Sequence, residues 1–134
     1  MANASLAAPD KIAGSYDLEW GKGDGTGQPA CVDHWTLRAD SALTVESGQE
    51  KLTGRWHVEG KAKEGEWLVW TGLKTNGLPD CRGRMASQPI ADRRMPFYVN
   101  AAGGLVLTEP YSRLQDGTIV WRPTAVANKV VEKH

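Results

Sequence analysis

The 134-residue sequence predicts an all-β fold, an eight-stranded antiparallel up-and-down barrel. Three observations carry this expectation. Apolar and polar residues alternate with a period of two through much of the chain, as strands with one buried face require. Short clusters of Gly, Asn, Asp and Ser separate those runs and read as turns. Helical periodicity, in contrast, is scarce. Sequential antiparallel strands with one apolar face close best on themselves, because closure removes exposed edges. The length fits a single domain over 1–134, with an N-terminal arm at 1–10 and a C-terminal tail at 123–134.

The first strand is expected within Lys11–Trp20, where Ile12, Gly14, Tyr16, Leu18 and Trp20 share a face. Gly21, Gly23, Gly25 and Gly27 follow it. A P-loop needs Lys-Ser or Lys-Thr after its last glycine, and a dinucleotide fingerprint needs a following helix; this stretch has neither, and Pro29 and a strand come next. The glycines therefore read as a flexible first hairpin loop. In Cys31–Arg38 one face carries Cys31, Asp33, Trp35 and Leu37; after a turn at 39–42, Leu43 and Val45 point inward. Lys51–Glu59 alternates most cleanly, with Leu52, Gly54, Trp56 and Val58 inward. In "WLVWTGL", Trp67, Val69 and Thr71 share one face and Leu68 and Trp70 the other. With both faces apolar, that strand is expected to be central or covered on its outside. Asn76-Gly77, Pro79 and Pro89 mark 74–94 as loop, with a short strand expected at Cys81–Met85. "MPFYV" and "LVLTE" flank the turn "NAAGG" as a hairpin, and "GTIVW" is the last strand. The tail "PTAVANKVVEKH" fits either a short helix or a strand.

Sixteen basic and sixteen acidic residues cancel, which removes the global attraction that a nucleic-acid partner would need. No apolar run approaches the ~20 residues that span a bilayer. The two cysteines, Cys31 and Cys81, lack the C-x-x-C spacing of a zinc ribbon or redox pair. They predict one disulfide closing a loop of about 50 residues, worth about 4 kcal/mol in the chain-entropy model; the alternative is two buried thiols in a reducing compartment. A disulfide, together with the small residues of "ANA" near the start, which match the end of a cleaved export signal, predicts a periplasmic or secreted protein.

Six Trp against three Tyr and one Phe is an unusual aromatic balance. Trp serves as a core anchor or as a pocket wall. Trp20, Trp35, Trp56 and Trp67 are expected on the core phase. Beside Tyr16, they are candidate walls for a small apolar or aromatic ligand at the barrel mouth. Asp33, a carboxylate on the inward phase, is the candidate group for orienting that ligand. Neither G-x-S-x-G, H-E-x-x-H nor a carboxylate pair stands out, so a non-enzymatic protein without metal or cofactor is expected. His34 and His57 fall on polar phases and read as solvated. Arg82, Arg84, Arg93 and Arg94, opposed within 81–95 by Asp92, form a basic stretch suited to an acidic ligand or partner.

Gly14-Ser15-Tyr16 stands where lipocalins carry their G-x-W motif, with Tyr in place of Trp, and "LTGRW" at Leu52–Trp56 is similar to bacterial lipocalin-like domains. The chain thus resembles the lipocalin or calycin superfamily, although the T-D-Y motif is absent. The resemblance implies a lipocalin-like barrel with a ligand at its mouth, and an Arg, here Arg122, packed over the first-strand aromatic. "ASLAAPDKIAGSYDL" is similar to the arm and first strand of bacterial periplasmic alkaline-protease inhibitors, although those have closer cysteines and a shorter chain. That second resemblance implies an alternative, a protein-partner module such as a protease inhibitor or immunity-type inhibitor. It would act through arm residues Ser5 and Leu6 or through the loop arginines. The partner is then a small hydrophobic ligand or another protein.

Overall fold

Each strand of this chain pairs with its neighbours in sequence, and the last returns to pair with the first. The computed structural model describes residues 9–20, 31–61, 65–87 and 89–130. One helical turn, α1 (Pro9–Ile12), precedes β1 (Gly14–Trp20), β2 (Cys31–Leu37), β3 (Ala42–Ser47), β4 (Glu50–Lys61), β5 (Gly65–Thr75), β6 (Arg93–Val99), β7 (Leu105–Arg113) and β8 (Ile119–Lys129). All are antiparallel, as the alternating pattern predicts. The closed ring is uneven. β4 and β5 pair from Leu52↔Thr75 to Lys61↔Gly65, whereas β6 meets β7 only at Phe97↔Leu107, Tyr98↔Val106 and Val99↔Leu105. Closure rests on Tyr16↔Lys129, Asp17↔Asn128 and Leu18↔Ala127.

The tail, open between helix and strand in the sequence, is strand through Lys129. Its apolar residues Ala125 and Ala127 face the interior opposite Leu107 and Leu105. Residues 123–129 are therefore part of the ring rather than a tail. The first strand begins at Gly14, three residues later than expected, because Pro9–Ile12 winds into a helical turn. Ile12 is nonetheless fully buried, and its carbonyl accepts the Tyr16 hydroxyl at 2.5 Å.

Inward residues follow the predicted faces: Tyr16, Leu18, Trp35, Leu37, Leu43, Val45, Leu52 and Trp56 all belong to one core. One expectation is reversed. Trp70 and Leu68, not Trp67, face the core, and Trp70 is 2 % exposed. The alternation in β5 allowed either face, and the packing of Trp70 against Trp35 (centroids 4.7 Å apart, planes at 77°) selects this one. Val69 on the opposite face is also buried, so this strand is covered on its outside as its two apolar faces predict.

Glycine permits two close approaches. In the β3–β4 turn Gly48 has φ +58°, and a Cβ there would come within 2.6 Å of the Cys81 backbone nitrogen. At the β4 bulge a Cβ on Gly54 would lie 2.7 Å from the Thr71 carbonyl oxygen. Through Gly48 the 76–92 loop lies directly on the β3–β4 turn, with Gln49 N–H donating to the Pro79 carbonyl at 3.0 Å.

Two interior indoles differ in their polar accounting. Trp56 Nε1–H donates to the Arg38 carbonyl at 2.9 Å, whereas Trp70 Nε1–H has no acceptor among the described residues. Trp56→Phe and Trp70→Phe remove similar volume, but only the first removes a hydrogen bond, from an Arg38 carbonyl that keeps the Ser41 N–H at 2.9 Å. Urea unfolding is therefore expected to show Trp56→Phe as the more destabilising by about 1 kcal/mol; equal losses would contradict this account.

Candidate functional site

Two regions concentrate chemistry-bearing side chains: the ring end under the 76–92 loop, and the outer face of β5–β8. At the ring end, Cys31 and Cys81 are disulfide-bonded, with Cα atoms 5.6 Å apart and a sequence separation of 50. The pair fits an oxidising setting for an exported protein. No described helix is long and apolar enough to cross a membrane. Asp33 registers between Leu18 and Ser47, on the inward phase as predicted, and is half-buried. Its Oδ1 lies 3.6 Å from Cys81 Sγ. The Ser47 hydroxyl lies 3.2 Å from the same sulfur and accepts the Cys81 N–H at 3.3 Å. The donor atoms of Cys31, Asp33 and Cys81 fall within 4.8 Å of one another. With the two sulfurs bonded to each other, this is a disulfide capped by a carboxylate and a hydroxyl, not a metal centre.

No strand forms at Cys81–Met85. Asp80 captures the chain instead: its Oδ1 accepts the N–H groups of Arg82 (2.8 Å) and Arg84 (2.9 Å), and its own N–H donates to the Arg84 carbonyl at 2.8 Å. Burial acts to raise the Asp80 pKa, but those backbone N–H groups and the Arg84 guanidinium outweigh it and hold the carboxyl below its usual range. The predicted basic stretch is divided by this geometry. Arg84 pairs with Asp80 at 3.4 Å, Arg93 lies over the Trp70 ring at 6.0 Å, and Arg94 pairs with Glu59 at 2.5 Å. Arg82 also has an interaction partner. Arg93 and Arg94 are adjacent in a strand and point to opposite faces, so the four do not form one patch.

Of the remaining predicted residues, Trp35 and Trp56 are 4 % and 2 % exposed and packed within the core. Tyr16 is fully buried beside them, and burial raises its pKa. Trp20 ends β1, and its side chain lies outside the described residues, as do Ser5, Leu6 and the glycine loop at 21–30. Arg122 does not pack over Tyr16. It pairs with Glu109 at 3.1 Å and stacks on Tyr111 at 5.1 Å, while Lys129, in register with Tyr16, places Nζ 5.9 Å from its ring. His34 and His57 are exposed as expected, bonded to Asp17 (2.5 Å) and Glu59 (2.6 Å).

Trp67 leads to the second region. It alternates with core residue Leu68, registers with Pro96, and so projects from the outside of the ring. There it meets Trp121 of β8 edge to face, centroids 6.2 Å apart and planes at 87°. Between them runs a groove of about 260 Å³ lined by Pro96, Tyr98, Thr108 and Pro123, with Glu66 along it. The prolines explain why a groove forms here. Pro96 has no N–H to donate, and the β6–β7 ladder begins only at Phe97. At Leu107/Thr108 the β7–β8 register slips by one residue beside Pro123. The Arg94 guanidinium lies over the Trp67 ring, 5.2 Å from its centroid. Glu59 holds that Arg, and hydrogen bonds from His57 and then Arg94 keep the Glu59 carboxyl below its usual range. Trp121, Tyr98, Pro96 and Pro123 were not singled out by the sequence. The available signal was proline inside strand-like runs ("MPFYV", "VWRPTAV"), which marks ladder breaks next to aromatics.

Comparison with protein-family models, with curated proteins and with solved structures finds no match to this chain.

The Asp80 turn makes a pH-dependent prediction. A carboxyl whose pKa is depressed by folding contributes stability above its ordinary value of about 3.9, and that contribution is lost as pH falls through the depressed value. Asp80→Ala is expected to cost about 2 kcal/mol at pH near 7 by leaving two N–H groups without an acceptor. In urea titrations at several pH values, the difference from wild type should shrink below about pH 4. A difference independent of pH would overturn this role.

Proposed function

We propose that this chain is a non-enzymatic, exported binding protein, periplasmic or secreted, that takes a small apolar or aromatic ligand. Its site is the outer groove between Trp67 and Trp121 rather than the interior of the ring. The observation that carries the reading is the division of the tryptophans. Trp35, Trp56 and Trp70 are used up filling the core. Trp67 and Trp121 stand at right angles on the surface around an apolar groove. An eight-stranded ring has an interior just wide enough for side chains to fill it, which favours a site on the outside. A groove of this size holds a ligand of one or two rings, at the small end of the range for ligand sites. The disulfide supports export, and the eight-strand up-and-down order is compatible with the lipocalin-like reading.

The test is a titration with small aromatic compounds followed by indole and amide resonances. Shifts are expected at Trp67, Tyr98, Thr108 and Trp121, with affinity falling at least about tenfold in Trp121→Ala. Shifts confined to Trp35, Trp56 and Asp33 would move the site back to the interior, and no shift with any compound would end the ligand-binding reading.

A further inference from the structure

The groove lies where two strands part. β6 and β7 pair at Val99↔Leu105, Tyr98↔Val106 and Phe97↔Leu107 and no further. Past that point β6 stays on β5 as far as Arg93, and β7 stays on β8 as far as Arg113. The two strands therefore diverge as a fork, and the first residue of each beyond the ladder, Pro96 and Thr108, lines the groove. A strand paired on one side only directs alternate N–H and C=O groups away from its partner, and such an edge is a template for another strand. Among the described residues, the backbone of 93–96 and of 108–113 makes no hydrogen bond beyond those to β5 and β8. Residues 110–113 are exposed. Pro96 and Pro110 each withhold a donor, which keeps the fork from closing on itself but leaves the carbonyls and the remaining N–H groups.

Charge distinguishes the open end of the fork. Arg93 lies over the Trp70 ring and Arg113 donates to the Gly117 carbonyl at 3.1 Å, and neither has a carboxylate partner among the described residues. Nearby carboxylates are engaged elsewhere, Glu109 with Arg122 and Glu59 with Arg94. Glu66 registers with Phe97, where the ladder is still closed.

Resting on the groove being an aromatic site, we infer that its ligand is the aromatic side chain of an extended, acidic peptide segment of a partner protein, added as a strand to the open edge of β7. The ring enters between Trp67 and Trp121, and the peptide backbone pairs with 108–113, the longer of the two open edges. An acidic residue toward the open end of the fork meets Arg93 and Arg113. A groove of about 260 Å³ holds one such ring, so affinity beyond that of a single ring comes from the main chain.

The experiment titrates the isotope-labelled full chain with capped heptapeptides that carry Tyr at the centre, Glu at one end or the other, and varied residues elsewhere. N-acetyltyrosine amide serves as the single ring. The tightest peptides are expected to bind at least about tenfold more tightly than the single ring, to shift the Trp67 and Trp121 indole resonances, and to slow amide exchange in 108–113. N-methylating the peptide backbone at alternate residues should return the affinity to that of the single ring. Arg93→Gln combined with Arg113→Gln, checked for an unchanged melting temperature, should weaken the Glu peptides about threefold and leave their Gln counterparts unchanged. Equal binding of peptides and single ring would overturn strand addition while leaving the aromatic groove intact, and binding of neither at the groove would remove both readings. Tight binding indifferent to N-methylation would also overturn strand addition, and an equal effect of the arginine variant on Glu and Gln peptides would overturn the acidic preference. Concentration-dependent protection of 108–113 without peptide would give the edge to a second copy, and protection at every dilution would give it to another part of the chain. Either result would overturn the assignment to a partner.

Discussion

The return of β8 onto β1 is the constraint on which the rest of the molecule depends. Leu18 opposite Ala127 and Tyr16 opposite Lys129 close the ring. Closure divides every strand residue into inside and outside, and it sets the interior at a size that eight strands enclose. Within that limit Trp35, Trp56 and Trp70 take much of the space, with leucines and Phe97 around them. Small residues complete the fit where the last strand turns inward, as Ala125 and Ala127 do opposite Leu107 and Leu105.

The two ends of the ring are finished by different means. Where β1 begins, Ile12 and Tyr16 are joined by a buried hydrogen bond, and the Lys129 ammonium lies over the Tyr16 ring. At the other end a long loop is fastened across β2–β4 by the Cys31–Cys81 bond. Gly48 lets the loop backbone approach, and the Asp80 carboxylate shapes the turn. Both ends thus engage polar groups within the fold, including Asp33 beside the disulfide. The outer face of β5–β8 remains, where prolines and a register slip interrupt the ladder and aromatic side chains stand over the gap.

How much of this was readable in the chain varies with the range of the interaction. Leu52, Gly54, Trp56 and Val58 alternate so cleanly that their strand and its face follow from period alone. Asp33 likewise reads as inward from its neighbours Cys31 and Trp35. β5 was harder, because Trp67 and Trp70 fall on opposite phases with apolar company on both. A period of two says that two faces exist but not which one is inside, and that choice was made by Trp35 of β2, a strand that does not pair with β5 and meets it across the interior. The arginines at 82–94 formed a cluster in sequence only. A loop turn and a strand's alternation sent them to Asp80, Trp70 and Glu59.

Local physics, then, sufficed for the all-β class, for the strand positions and most of their faces, and for a cysteine pair whose bond fits export. These depend on side-chain alternation and turn chemistry, which act over a few residues. Only the tertiary structure decided that the tail is the closing strand, that Trp70 rather than Trp67 fills the core, and that Trp67 meets Trp121. Those outcomes depend on contacts between residues tens of positions apart. Their energies exist only once the ring has closed and each side chain has a defined side of the sheet.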